Sequence, residues 1–475
     1  MKTSVKVIFG VYGAIAGLWL AGSAYFLARS GDEPAGTDAV PAGLALSPEE
    51  NAYGLFGQLL DLRQTNLDFT VANDYLQGRT NGPLAAAEVD ALVAAHSNLY
   101  ACVDRIITCR GFRPPDGQGR REGVSRLFDH VAMKLLQTKA VREIERGEID
   151  TAHRTLDTLS ELGRFIAGTE SYVGYLVGTS YRGVAFNTGT RPQFVATADR
   201  AWFDHLMAEA LDVETNAVAL LQRAAAGERL MWQEQLQMLA TNEILQTDAM
   251  LKTGLSGFAW LMRNHRENGS PAFWNDRPAH IDWTRVRQQC GIALLSCCAG
   301  YARYSFKPRK TFAAGCAKLD EFIRKIGTSG YDPDYARQKT EGWRFESLNP
   351  CHENWLGQVT ALDRSHNSVY AKRFSLLFGM RAGRLRIACL HYRKEHGRLP
   401  ETLAELVPVF IAEIPVDPYD GEAIRYNAEH GYFWTKGPEG QFDGKVEFDQ
   451  DGCPHWKNRN YAFVHLIDDL KPKRR

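Results

Sequence analysis

The acids that could do chemistry are concentrated near the carboxyl end. Residues 447–452 read Glu-Phe-Asp-Gln-Asp-Gly, so Glu447, Asp449 and Asp451 alternate ahead of Gly452. That is the spacing of the first half of an EF-hand loop, in which alternating oxygens and a sixth-position Gly wrap one Ca²⁺. Position one is Glu rather than Asp and position twelve is Asn458, so a hairpin turn at Gln450-Asp451-Gly452 accounts better for the Gly. Zinc needs spaced ligand pairs. The chain offers Cys351-His352-Glu353, His391 and His396, with no Cys-x₂-Cys. No Gly-x-Ser-x-Gly, Walker loop, Gly-x-Gly-x-x-Gly or His-Glu-x-x-His is present. Asp61, Glu143 and Glu243 sit in helical stretches and read as solvated faces. Phe258, Trp260, Phe273, Trp274 and Trp283 lie near His265 and His280. They fit a packed core, or the groove of a hydrolase acting on envelope polymers.

The elements that position these residues begin with an uncharged apolar run from Val7 to Ala28, preceded by Lys2 and Lys6. A hydrocarbon core of ~30 Å takes ~20 helical residues. The run is therefore expected to be a single transmembrane anchor, with Gly22-Ser23-Ala24 leaving a cleaved signal peptide as the alternative. The lysines place the amino terminus in the cytoplasm, and the bulk on the periplasmic side of the inner membrane. Residues 29–47 are a Gly-, Ala- and Pro-rich linker, and residues 48–360 a helical domain. Apolar residues recur there at steps of three and four, as in Leu55, Leu59 and Leu62, or Leu156, Leu159, Leu162 and Phe165. The segment 142–166, with Gly147 at a turn and Ala152 against its neighbour, reads as a helical hairpin. It has the look of one tetratricopeptide repeat, but an array needs at least three. The body is expected to be a helical bundle or irregular solenoid.

Lys+Arg and Asp+Glu both number 56, so there is no basic excess to suit nucleic acid. Nine Cys in 475 residues exclude a disulfide scaffold. Cys102 and Cys109 would stand about 10 Å apart on one helix, too far for a bridge. Cys297 and Cys298 read as small buried residues. The end Lys471-Pro472-Lys473-Arg474-Arg475 closes a basic tail over 466–475.

Residues 361–465 change character. A long helix near Ser365–Glu395 stops at Gly397 and Pro400, and residues 401–407 form a short helix. Residues 423–426 and 432–435 read as antiparallel strands, followed by a second pair at 446–448 and 454–456. The run 388–444 resembles the head of the major pseudopilin of type II secretion systems. The residues that carry the resemblance are Tyr392, Gly397, Pro400, Leu403, Leu406, Val407, Asp417, Pro418, Tyr419, Gly421, Tyr426, Gly431, Trp434, Gly437, Gly440, Asp443 and Gly444. In that family the hydrophobic helix is continuous with the head. Here the long helical domain separates them, and Met1–Gly10 holds no pseudopilin cleavage signal.

The resemblance implies a small α+β head with Ca²⁺ in its Gly-rich loop. Asp443 matches one acid of the family, and Glu439 stands where an Asp is usual. Asp449 and Asp451 lie just beyond and complete the candidate calcium set. The expected fold class is thus mainly α: a transmembrane helix, a helical body and a pseudopilin-like head. The expected function is a non-catalytic, membrane-anchored envelope scaffold or adaptor, with protein partners in a secretion or pilus-like apparatus. The alternatives are the envelope hydrolase and a helical peptide-binding module.

Overall fold

The computed structural model describes residues 20–21, 23–25, 28, 46–63, 69–77, 83–114, 130–241, 304, 306–328, 330–336, 366–446 and 464–467. The helices in chain order are α1 (Tyr53–Arg63), α2 (Phe69–Leu76), α3 (Pro83–Ala95), α4 (Ser97–Thr108), α5 (His130–Glu145), α6 (Ile149–Ala167), α7 (Tyr172–Gly189), α8 (Pro192–Thr197), α9 (Arg200–Thr241), α10 (Pro308–Ile326) and α11 (His366–His396). A 3₁₀ turn at Leu403–Leu406 and strands β1 (Arg425–Asn427), β2 (Tyr432–Trp434) and β3 (Val464–Leu466) follow.

The chain divides into two units. The larger comprises Ala42–Glu228, Phe322–Ala336 and Asn367–Arg475. At its centre is the hairpin of α5 and α6. Gly147 takes φ 79°, the left-handed value that lets the chain reverse within one residue. The Glu148 amide donates back to the Glu143 carbonyl at 2.9 Å. Along α6 the apolar residues Leu156, Leu159, Leu162 and Ile166 recur at helical spacing, and all are buried. Ala152 is fully buried, as its place in the hairpin predicts. Helix α7 starts at an N-cap, where Ser171 Oγ accepts from the Gly174 amide at 2.9 Å. It then packs closely on α6, because the meeting residues have no side chains. A Cβ on Gly163 would lie 2.7 Å from the Gly178 carbonyl oxygen, and one on Gly178 would strike the Ala167 backbone.

Two apolar cores result among the described residues. One gathers Phe56, Leu59, Leu99, Val103, Leu135, Leu159, Leu162 and Tyr181 between α1, α4, α5, α6 and α7. The other joins Val141, Phe186, Trp202 and Phe203 to Leu385, Leu390, Leu406, Phe433 and Ile467. The carboxyl-terminal segment and the central helices therefore share a core, across the boundary expected near residue 360.

In that segment α11 stops at Gly397 (φ 74°), whose amide donates to the Arg393 carbonyl at 2.8 Å. β2 pairs antiparallel with β1 on one side and β3 on the other. The β1–β2 hairpin lies within two residues of its expected place. β3 was not expected: three residues at the end of a chain give too short an alternation to read. Residues 447–463, which hold most of the other expected strand pair, lie outside the described residues.

The smaller unit comprises Met1–Pro41, Arg229–Glu321 and Arg337–His366. Within it Trp232 is buried, stacked on Phe312 with ring centroids 5.6 Å apart, and Gly315 leaves room for its indole.

The expected fold class needs correction. Helices hold 71% of the described residues, and among these no helix is long and apolar enough to cross a membrane. Of the run 7–28 the structure describes Leu20, Ala21, Ser23, Ala24, Tyr25 and Ala28. Ser23 is buried, and the Tyr25 ring meets Tyr304 edge-on at 6.0 Å. An apolar run is as suited to packing on protein as on lipid, and length alone does not separate the two.

Candidate functional site

A cavity of about 420 Å³ opens in the larger unit where three pieces of chain converge. The first is the segment 46–51 tied to 109–113. Asn51 clamps it with its side chain: Nδ2 donates to the Arg113 carbonyl at 2.7 Å, and Oδ1 accepts from the Arg113 amide at 2.9 Å. The Arg110 and Gly111 amides both donate to the Glu50 carbonyl. The second piece is the α6–α7 turn through Gly168, Thr169 and Glu170, and the third is Arg223 on α9. The wall carries Arg110, Arg113, Arg164 and Arg223 with Glu161 and Glu170; Arg110 is paired with Glu50 at 2.8 Å, and Arg164 with Glu161 and Glu209. Leu46, Ile107, Phe112 and Phe165 supply its apolar part. Phe112 is fixed edge-on against Phe56 at 5.4 Å, and Phe56 stacks on Phe165 at 6.2 Å.

Beside this wall lies a network built on Glu209 of α9. Arg182, only 3% exposed at its side chain, donates from Nη2 to Glu209 at 3.0 Å and to Asp212 at 2.7 Å. Arg164 donates to the other Glu209 oxygen at 2.7 Å, and Ser160 Oγ to Glu209 at 2.5 Å. Burial pushes the Glu209 carboxyl up, but the Ser160 hydrogen bond and the Arg182 and Arg164 charges outweigh it and hold it below its ordinary value. One turn earlier His205 Nε2 meets Asp157 at 2.8 Å, and that hydrogen bond raises the imidazole pKa. His153 lies parallel on Trp202 at 3.6 Å, and burial lowers its pKa. A serine, two histidines and acids thus stand close together. Yet Ser160 is spent on Glu209 and His205 on Asp157, and the space between them is about 20 Å³, enough for a water and not for a substrate.

The expected calcium residues are only partly placed. Asp449 and Asp451 lie outside the described residues. Glu439 and Asp443 are exposed, on a loop shaped by Gly437, Gly440 and Gly444, all at positive φ. Asp443 Oδ1 accepts from the Lys445 amide at 3.0 Å, and Oδ2 faces the Lys445 ammonium at 3.5 Å. That amide, chiefly, lowers the Asp443 pKa. The Gly444 carbonyl accepts from the Tyr432 hydroxyl at 2.7 Å. Asp443 is thus engaged with Lys445, whose ammonium a cation there would have to displace, while Glu439 is exposed. Among the described residues no group of three His, Cys, Asp or Glu side chains gathers for a metal.

Other sequence candidates are structural where they are described. His391 pairs with Glu395 at 3.1 Å and stacks on Phe203, and His396 Nδ1 meets the Tyr392 carbonyl. Cys102 and Cys109 are free thiols. Asp61 is exposed, as expected. Glu143 is not: it is buried between Lys139 at 2.6 Å and Thr155 at 2.7 Å. Asp417 is fully buried, accepting from the Tyr419 amide and the Arg425 guanidinium, both at 2.9 Å, so the Asp-Pro-Tyr motif is a turn lock. The pairs at 297–298 and 351–352, the aromatic stretch with His265 and His280, Glu243 and residues 468–475 of the expected basic tail lie outside the described residues, whereas Leu466 and Ile467 of that tail belong to β3 and the core.

The arginine wall escaped the sequence reading. Arg110 and Arg113 belong to a polar loop, whereas Arg164 and Arg223 are far along the chain and come together only through the packing of α6 and α9. Comparisons with models of known protein families, with characterised proteins and with solved structures found no match.

Proposed function

We propose that this protein is a non-catalytic binding protein, an adaptor that takes an acidic group carried on an apolar body into the arginine-walled cavity. The observation that supports this is the cavity's composition: four arginines, of which Arg110 is paired with Glu50 and Arg164 with Glu161 and Glu209, line it beside the fixed rings of Phe112 and Phe165. Arginine is the residue suited to carboxylate and phosphate recognition, through a planar fork of donors. A volume of about 420 Å³ is within the ~300–1,000 Å³ of small-ligand sites, and also accepts the end of a peptide. For an adaptor the fitting ligand is an acidic peptide end with an aromatic residue. A link to a secretion apparatus enters this reading only through the resemblance of residues 388–444.

The test is calorimetric titration with the peptide Glu-Glu-Phe bearing a free carboxyl end, with Lys-Lys-Phe amide as the charge-reversed control. The reading predicts saturable binding of the first and none of the second. Equal binding of both, or of neither, overturns it. Benzoate in a parallel titration separates a free aromatic acid from a peptide as the source of the group.

A further inference from the structure

Arg373 is a buried cation with no counter-ion among the described residues. It lies on α11 and is 6% exposed, and its Nε and Nη1 have no hydrogen-bond partner. Among the described residues no carboxylate pairs with it. Its guanidinium carbon sits 5.1 Å from the centre of the Phe374 ring, which disperses some of the charge without supplying an acceptor. Tyr175 of α7 is close enough for its phenol and the guanidinium to feel each other's charge, and the Tyr175 hydroxyl is likewise buried without a partner. The neighbouring phenol, Tyr370, is already engaged: it accepts from the Asp332 amide at 2.8 Å and donates to the Gly330 carbonyl at 3.3 Å. Arg381 adds positive charge to the surroundings, although it is itself paired with Glu214 at 2.6 Å.

Three donor atoms, two of them on a full positive charge, are thus left unmet in an apolar setting. A guanidinium with two buried N–H donors lacking acceptors is costly to hold, and an anion bound there removes that cost. The donors are N–H and O–H groups only, so the ligand must accept through oxygen. The depth of the site favours a small one.

We infer that Arg373 and Tyr175 form a second binding site, for a small oxyanion of the carboxylate or phosphate class, distinct in its residues from the arginine-walled cavity.

The experiment is a thermal melt of the full chain in chloride, acetate and inorganic phosphate at matched ionic strength. It is run on the wild type, Arg373→Met, Tyr175→Phe and Arg223→Glu. Met keeps the length and apolar bulk of the stem, and Phe keeps the ring. The inference predicts that the wild type and Arg223→Glu melt higher in acetate or phosphate than in chloride. In Arg373→Met the rise disappears, and in Tyr175→Phe the apparent anion affinity falls about tenfold. In chloride, Arg373→Met should melt no lower than the wild type, because an unpaired buried charge has been removed. A wild type indifferent to the anion overturns the inference. So does a rise that survives Arg373→Met. A large loss of stability for Arg373→Met in chloride also overturns it, because it would mean that a carboxylate of the chain itself neutralises Arg373. The Arg223→Glu arm keeps this result separate from the fate of the arginine-walled cavity, and acetate against phosphate tells the two anion sources apart.

Discussion

Glu209 accepts from Ser160, Arg164 and Arg182 at once, which makes it the residue on which α6, α7 and α9 agree. Removing Arg182 leaves Glu209 and Asp212 short of their buried partner, and breaking such a pair costs about 3 kcal/mol or more. Arg182→Ala should therefore lower the denaturant midpoint by a corresponding amount with an unchanged slope. The same network sets a pH dependence. The Glu209 pKa in the fold is below its ordinary value of 4.5, so its stabilisation is present above that value and is lost as pH falls through the depressed one. Asp90 behaves in the same way, held at about 2 chiefly by hydrogen bonds from Arg142. His205 has the opposite sign. Its raised pKa gives stability below the ordinary 6.5 that is lost as pH rises through the folded value. Melting temperatures taken downward from pH 7 should fall below pH 5, and more gently in Glu209→Gln. A third outcome follows from Asp443, whose Oδ1 accepts from the Lys445 amide and whose Oδ2 faces the Lys445 ammonium at 3.5 Å. Calcium should leave the melt of the full chain unchanged, and a calcium-dependent rise abolished by Asp443→Ala would contradict the loop geometry.

At the scale of elements, the helices were legible wherever one face is apolar. Leu156, Leu159, Leu162 and Ile166 announce α6, and Gly147 announces the turn before it. Which helices touch was not legible, because glycine leaves no trace in hydrophobic periodicity. The α6–α7 contact rests on Gly163 and Gly178, and the sequence reading passed over both. Gly178→Ala should cost about 1–3 kcal/mol through overpacking against the Ala167 backbone. Gly183→Ala, on the same helix with nothing within 4 Å, should be neutral or slightly stabilising, since Ala is the better helix former. Chemical denaturation of the two variants side by side checks the pair. Glu143 misled the reading for a related reason. A charged residue on a helix reads as solvated, and the Lys139 and Thr155 groups that meet it become visible only once α5 and α6 are packed together. The short strand β3 gives no periodic signal, yet it completes the sheet on β2.

At the scale of the whole molecule, the sequence suggested a carboxyl-terminal head distinct from a helical body, and the packing joins them. Phe433 and Ile467 share a core with Phe186 and Trp202. The strands that set this segment apart begin only at Arg425, after the long helix α11, and their pattern carries no information about which surfaces meet. The candidate site was hidden for the same reason. Arg110, Arg113, Arg164 and Arg223 come from three separate stretches and converge through packing alone. The molecule's zero net charge gives no sign that four arginines line one cavity. The most direct test is the affinity of the wild type and of Arg223→Glu for the Glu-Glu-Phe peptide, by calorimetry. Hydrogen bonds to charged groups carry ~1.5–3 kcal/mol, so the account predicts binding by the wild type and a loss of at least about tenfold in the variant. Equal affinity in the two proteins would contradict it.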